Sequence, residues 1–213
     1  PLDAKLQQTL DDLLTNHAKG QYADASVPVT LAVGTTDGVI KALALDVIDI
    51  LKTNGEGAGV LGMLANLLKS TMHTLIKQIM GKVSNAEQDK LAGYLSRRRV
   101  MVNGAARFGF SMPDAIGSRF ESVLKRIAAG DMANSREDLT SAMNDFINLS
   151  TACFYDEFTG ALDLGFVKQK MVSMGRSAIL KGSQSAVAKL FVSMSDDDLK
   201  RVCAHYDSMF VKA

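Results

Sequence analysis

The sequence predicts an all-α protein: a single helical domain, residues 1–213, of eight or nine helices packed around one long central apolar helix at roughly residues 58–82. Two helical subdomains are the variant of that plan. Three observations predict it. Apolar residues recur at spacings of three and four along most of the chain, as on a buried helical face. Capping residues punctuate those runs where helices should begin and end. No convincing pair of strands accompanies them.

Leu2, Leu6, Leu10, Leu13 and Leu14 form the apolar stripe of a first helix, which Lys19-Gly20 stops. Gln21 to Thr35 reads as a connection. It holds Pro28 and a β-branched run, Val27 to Val33, that reads as a short strand or a loop. Asp37 then caps a second helix carrying Val39, Ile40, Leu43, Val47, Ile50 and Leu51, and Asn54-Gly55-Glu56-Gly57 turns the chain into the central helix.

From Val60 to Val83 apolar residues cover a broad face, leaving Asn66, Ser70, His73 and Lys77 as a narrow polar stripe. Such a helix must bury most of its circumference. It is long enough to span a bilayer, but Asn66, Lys69, His73 and Lys77 sit in its middle, where charge is costly, so no integral membrane segment is expected.

Ser84-Asn85-Ala86-Glu87 is a capping box, and Leu91, Tyr94, Leu95 and Val102 follow at helical spacing until Gly104–Gly109 ends the helix. Pro113 fits the first turn of the next helix, whose buried face is Ile116, Phe120, Val123, Leu124 and Ile127. Ser135 and Asp138 start another, running on through Cys153 to Thr159. Phe166–Leu180 and Ser185–Met194 read as two helices separated near Gly182. Ser195-Asp196-Asp197-Asp198 starts the last helix with a serine cap and carboxylates at the positive end of its dipole. Residues 104–113 are the best candidate for a seam between subdomains.

The 213 residues suffice for one sizeable core or two small ones. At 47% apolar and 22% charged the composition is that of a globular protein. The formal net charge of +1 gives no global field toward a polyanion. Two cysteines without motif spacing argue against a disulfide scaffold and fit a reducing compartment. The opening Pro1-Leu2-Asp3-Ala4-Lys5 lacks the basic-then-apolar pattern of a signal peptide, so a cytoplasmic location is expected.

The glycine-rich stretch Gly55 to Gly62 resembles a phosphate-cradling loop, but a helical rather than a strand pattern precedes it and no Gly-Lys-Ser/Thr follows. Gly59 and Gly62 read instead as small residues that allow close helix packing. His17, His73 and His205 lack metal-ligand spacing, so no metal site and no cofactor are expected. Cys153 lies beside Asp156 and Glu157, which disfavour its thiolate, and Cys203 falls near a buried face. Asp156 and Glu157 point about 100° apart on a helix, unlike a catalytic carboxylate pair. No catalytic residues emerge.

Charge is distributed in blocks. Arg97, Arg98, Arg99, Arg107, Arg119, Lys125 and Arg126 face only Asp114 and Glu121. Between 131 and 163 the charged residues are acidic but for Arg136, and between 168 and 189 they are basic without an acid. These blocks predict either complementary faces that pair within the fold or between subunits, or a groove for a nucleic-acid backbone. The leading expectation is a non-enzymatic protein-binding chain whose partners include itself. The alternative is a nucleic-acid-binding or coat-type protein using Arg97, Arg98, Arg99, Arg107, Arg119, Lys125 and Arg126, with Phe108 and Phe110 for stacking. An apolar-ligand pocket among the helices, or a membrane-active Val39–Met80 region, is the further alternative.

Overall fold

The computed structural model describes residues 2–51, 56–102 and 104–211. Among these the chain forms eight helices and one β-hairpin. Helix α1 spans Ala4–Ala18. Helix α2 runs through Ser26–Ile40, a π-helical turn at Lys41–Leu45 and Asp46–Ile50. Helix α3, the long apolar one, is Glu56–Ile79, and α4 is Asn85–Arg98. The hairpin pairs β1 (Arg99–Val102) antiparallel with β2 (Ala105–Phe108), with Arg99 opposite Phe108 and Val102 opposite Ala105. Helix α5 is Asp114–Ala128, and α6 runs through Arg136–Thr151, a second π turn at Ala152–Asp156 and Glu157–Gly160. Helices α7 (Phe166–Ser193) and α8 (Asp196–Met209) complete the chain.

The chain divides into two compact units. The first is Pro1–Val39, Lys69–Phe110 and Ala152–Ser177; the second is Ile40–Leu68, Ser111–Thr151 and Ala178–Ala213. One crossing, from Phe110 to Ser111, falls in an irregular segment, and the other four fall within α2, α3, α6 and α7. The first unit buries Leu10, Leu31, Met72, Ile76, Leu91 and Tyr94, and the second buries Val47, Leu61, Phe120, Leu139, Phe191 and Val202.

Caps set several boundaries. Asp3 accepts a hydrogen bond from the Leu6 N–H at 2.9 Å to start α1, and Gly20, at φ +73°, ends it. The Ser84–Glu87 capping box is present, and Glu87 also accepts from the Asp163 N–H at 3.0 Å. Burial works to raise the Glu87 pKa, yet the hydrogen bonds from Ser84 and Asp163 outweigh it and hold the carboxyl below its usual value. Ser195 accepts from the Asp198 N–H at 3.2 Å at the start of α8.

Four expectations are corrected. Gln21–Thr35 is no connection and Val27–Val33 no strand: α2 already starts at Ser26, with Pro28 in its first turn, so Asp37 lies mid-helix rather than at a cap. The β-branched residues are accommodated because Leu31 and Ala32 are buried on one side, and Thr30 and Thr35 donate their hydroxyls to carbonyls four residues back. Second, α4 stops at Arg98, and Val102 belongs to a strand pair that was not expected. Gly104, at φ +78°, adopts the left-handed backbone that a two-residue hairpin turn needs. Third, α7 is one helix, not two. A Cβ on Gly182 would lie 2.8 Å from Leu67 Cδ2, so this glycine permits close packing inside the second unit rather than breaking the helix. Fourth, α3 spans 56–79 rather than 58–82; the Asn54-Gly55 turn expected ahead of it lies outside the described residues.

No described helix is long and apolar enough to cross a membrane.

Candidate functional site

The first half of α3 is the most informative surface. Leu61, Leu64 and Ala65 are buried in the second unit, as the periodicity of the helix requires. Met63 and Leu67 are not: they are 69% and 42% exposed. With the half-buried Val60 they follow a three-four spacing and so share one side of the helix. Gly59 stands one turn before Met63. A Cβ added at Gly59 or Gly62 meets nothing within 4 Å among the described residues. Among the described residues these glycines therefore serve no close packing, contrary to expectation. Gly57, Gly59 and Gly62 also lie within α3, so they form no phosphate-cradling loop. The result is an apolar, uncharged and largely exposed strip on α3.

The arginine-rich segment is distributed over both units. Arg97, Arg98, Arg99, Arg107 and Phe108 are in the first, and Arg119, Lys125 and Arg126 are in the second. Six of these seven cations face carboxylates. Arg97 and Arg98 both reach Glu157, at 3.4 and 3.3 Å, and Arg99 Nε donates to Asp11 at 2.8 Å. Arg119 pairs with Asp145 at 2.8 Å, Lys125 with Glu121 at 2.7 Å and Arg126 with Asp138 at 2.5 Å. Arg107 has no carboxylate partner among the described residues, and its Nε is buried without a hydrogen-bond partner. Much of the basic block thus meets the acidic block of residues 131–163 within each unit.

The aromatic side chains beside the hairpin also have protein partners. Phe108 stacks on Phe154 with ring centres 5.5 Å apart and planes at 17°, and meets Tyr94 edge-on at 6.3 Å. Phe110 meets Phe154 edge-on at 5.2 Å. Next to this cluster, Arg98 is buried with its Nε and Nη1 lacking hydrogen-bond partners. Burial pushes the Cys153 thiol up from its ordinary pKa, against the pull of the Arg98 guanidinium, and Glu157 pushes it further. Burial drives Cys203 up to about 12. Neither thiol is primed as a nucleophile.

The histidines are occupied in separate contacts. His17 and His73 bond Asp89 and Asp37, each at 2.8 Å, and His205 Nε2–H donates to the Ala42 carbonyl oxygen at 2.9 Å. Asp156 pairs with Arg176 at 2.8 Å, so Asp156 and Glu157 serve different arginines. Among the described residues no group of three or more histidine, cysteine or acidic side chains is placed to hold a metal ion. In the first unit a cavity of about 30 Å³ lies between Leu13, Pro28, Leu31, Leu91, Tyr94 and Phe158. That volume suits a water or two, far below the several hundred Å³ of a pocket for an organic ligand.

Periodicity identifies α3 as apolar but carries no sign of which part of it goes uncovered. No family model, curated protein or solved structure matches the chain.

Proposed function

We propose that this chain is a non-enzymatic helical protein that binds protein, including a second copy of itself, and that its pairing face is the uncovered side of α3 around Met63 and Leu67. The observation that carries the reading is the exposure of these two side chains on a long apolar helix. The described strip of Gly59, Val60, Met63 and Leu67 bears no charge, so two copies can meet across a two-fold axis without apposing like charges. The open space at Gly59 and Gly62 lets a partner helix approach closely. Free thiols at Cys153 and Cys203 suit a reducing, cytoplasmic setting.

Self-association is tested by light scattering across a size-exclusion peak. Wild type elutes as a defined oligomer, and Met63→Glu, at the more exposed of the two, elutes as a folded monomer. A wild-type monomer at every concentration overturns the reading. A raised 260/280 nm absorbance ratio that falls with nuclease would point instead to nucleic acid and the arginine-rich segment. That alternative has less support, because six of its seven cations already face carboxylates.

A further inference from the structure

Met63 puts a thioether in the middle of the strip formed by Gly59, Val60, Met63 and Leu67. The exposure of the sulfur side chains sorts them sharply. Met72, Met80, Met132, Met143 and Met194 are buried, whereas Met63, Met101 and Met174 are 69%, 57% and 65% exposed. Met101 lies in β1 and Met174 in α7, both in the first unit, so among these three only Met63 is on the strip of the second unit. The thiols are less open to oxidation. Cys203 is buried, and burial holds both Cys153 and Cys203 above the ordinary thiol pKa, where little of the reactive thiolate forms. A thioether has no proton to lose, so its oxidation needs access and not ionisation.

Oxidation changes what the strip can tolerate. Gly59, Val60, Met63 and Leu67 carry no side-chain hydrogen-bond donor. A sulfoxide oxygen buried against a second such strip is therefore left without a partner, whereas on a separate chain water solvates it. Across a two-fold axis each copy contributes its own Met63, so the cost counts twice.

We propose that oxidation of Met63 to the sulfoxide switches the pairing of two copies off. The inference rests on the pairing face argued above and adds its regulation. The sulfur lone pair attacks one oxygen of hydrogen peroxide and the O–O bond breaks. The attacked oxygen passes its proton to the departing one, which leaves as water. The thioether is thereby oxidised and the peroxide reduced. Thiol-dependent methionine sulfoxide reductases return the thioether, forming a disulfide and water, so the switch is reversible.

Light scattering on the full chain before and after hydrogen peroxide tests it, with peptide mass spectrometry locating each added oxygen. Met63, Met101 and Met174 each gain one oxygen. Pairing weakens about tenfold for each oxidised copy and so about a hundredfold for the pair. The two reductases restore the original mass. Met63→Leu, which keeps the strip apolar, stays oligomeric through the same treatment although Met101 and Met174 are oxidised. Met63→Gln, polar from the start, pairs weakly without peroxide. Circular dichroism checks that every sample remains folded. A wild type that keeps its oligomeric mass with the sulfoxide at Met63, or a Met63 that peroxide leaves intact, overturns the switch and leaves the pairing face standing. A Met63→Leu variant that dissociates on oxidation overturns it too, since another sulfur would then be responsible. A wild type that is monomeric before any peroxide overturns the pairing face and the switch together.

Discussion

Tyr206 donates its hydroxyl to the Leu43 carbonyl oxygen at 3.1 Å, across 163 positions of sequence. Leu43 lies in the π turn of α2, where the widened helix offers carbonyls to partners other than its own N–H groups. His205 takes the neighbouring carbonyl of Ala42. The first unit repeats the arrangement: Tyr94 donates to the Phe154 carbonyl at 3.3 Å, within the π turn of α6. Each π turn is thus held by a buried tyrosine from another helix. Tyr206→Phe should cost about 1–2 kcal/mol, because it orphans a buried acceptor while keeping the ring. Tyr206→Ala should cost about 3–5 kcal/mol through the cavity it leaves. Urea unfolding of the two variants measures both, and a Tyr206→Phe variant as stable as wild type would mean that the hydroxyl contributes nothing.

Stability should fall in alkali. Burial holds the Tyr94 and Tyr206 phenols above their ordinary range, raises Tyr155 to about 12 and raises Cys203 to about 12. The unfolded chain releases these protons near pH ~8.5 for cysteine and ~10 for tyrosine, while the folded chain keeps them. Above pH ~9 the unfolded state therefore binds fewer protons, and the slope of stability against pH is negative. Melting temperatures should be level with respect to these groups below that point and should drop as pH climbs toward 12. Tyrosinate absorbance should rise together with unfolding for the three buried phenols, since only Tyr22 of the four tyrosines is exposed.

Two helix glycines should respond in opposite ways to alanine. At Gly38, within α2, the added Cβ meets nothing among the described residues, so Gly38→Ala should stabilise by about 0.5–1 kcal/mol through helix propensity. At Gly175 it would lie 2.7 Å from Tyr155 Oη, which is itself fixed by donating to the Val172 carbonyl at 2.7 Å. Gly175→Ala should cost about 1–3 kcal/mol. Tyr155→Phe removes the clashing oxygen, so the double variant should be more stable than the sum of the single losses predicts, a coupling that a double-mutant cycle reads directly.

The Arg98–Glu157 pair should be asymmetric. Arg98 is buried and only partly hydrogen-bonded, while Glu157 is half-buried and also held by Arg97. Arg98→Met removes an incompletely satisfied buried charge and should be near neutral, whereas Glu157→Gln leaves that charge uncompensated and should cost about 1–3 kcal/mol. Denaturant midpoints of the two variants decide it; the reverse order would refute the assignment.

Local chemistry was legible where one segment determines its own structure. The Ser84–Glu87 box and the Ser195 cap start α4 and α8 as read, and the run of α6 past Cys153 holds. The hairpin was also written locally, since Asn103-Gly104 between two apolar-rich runs is a strong hairpin signal, but helical spacing through Val102 masks it. What stayed illegible depends on contacts distant in sequence. Val27–Val33 becomes helical because of where Leu31 packs, and Gly182 stays in a helix because Leu67 lies against it. The charge blocks were visible, whereas the pairing of Arg119 with Asp145 or Arg99 with Asp11 was not. Likewise, periodicity marks Met63 as apolar without telling whether anything covers it.

The most direct measurement is the molar mass of wild type and of Met63→Glu by light scattering over a range of concentrations. The account predicts an oligomeric wild type and a monomeric, equally helical variant. A wild type that stays monomeric throughout, or a variant that keeps the wild-type mass, would contradict it.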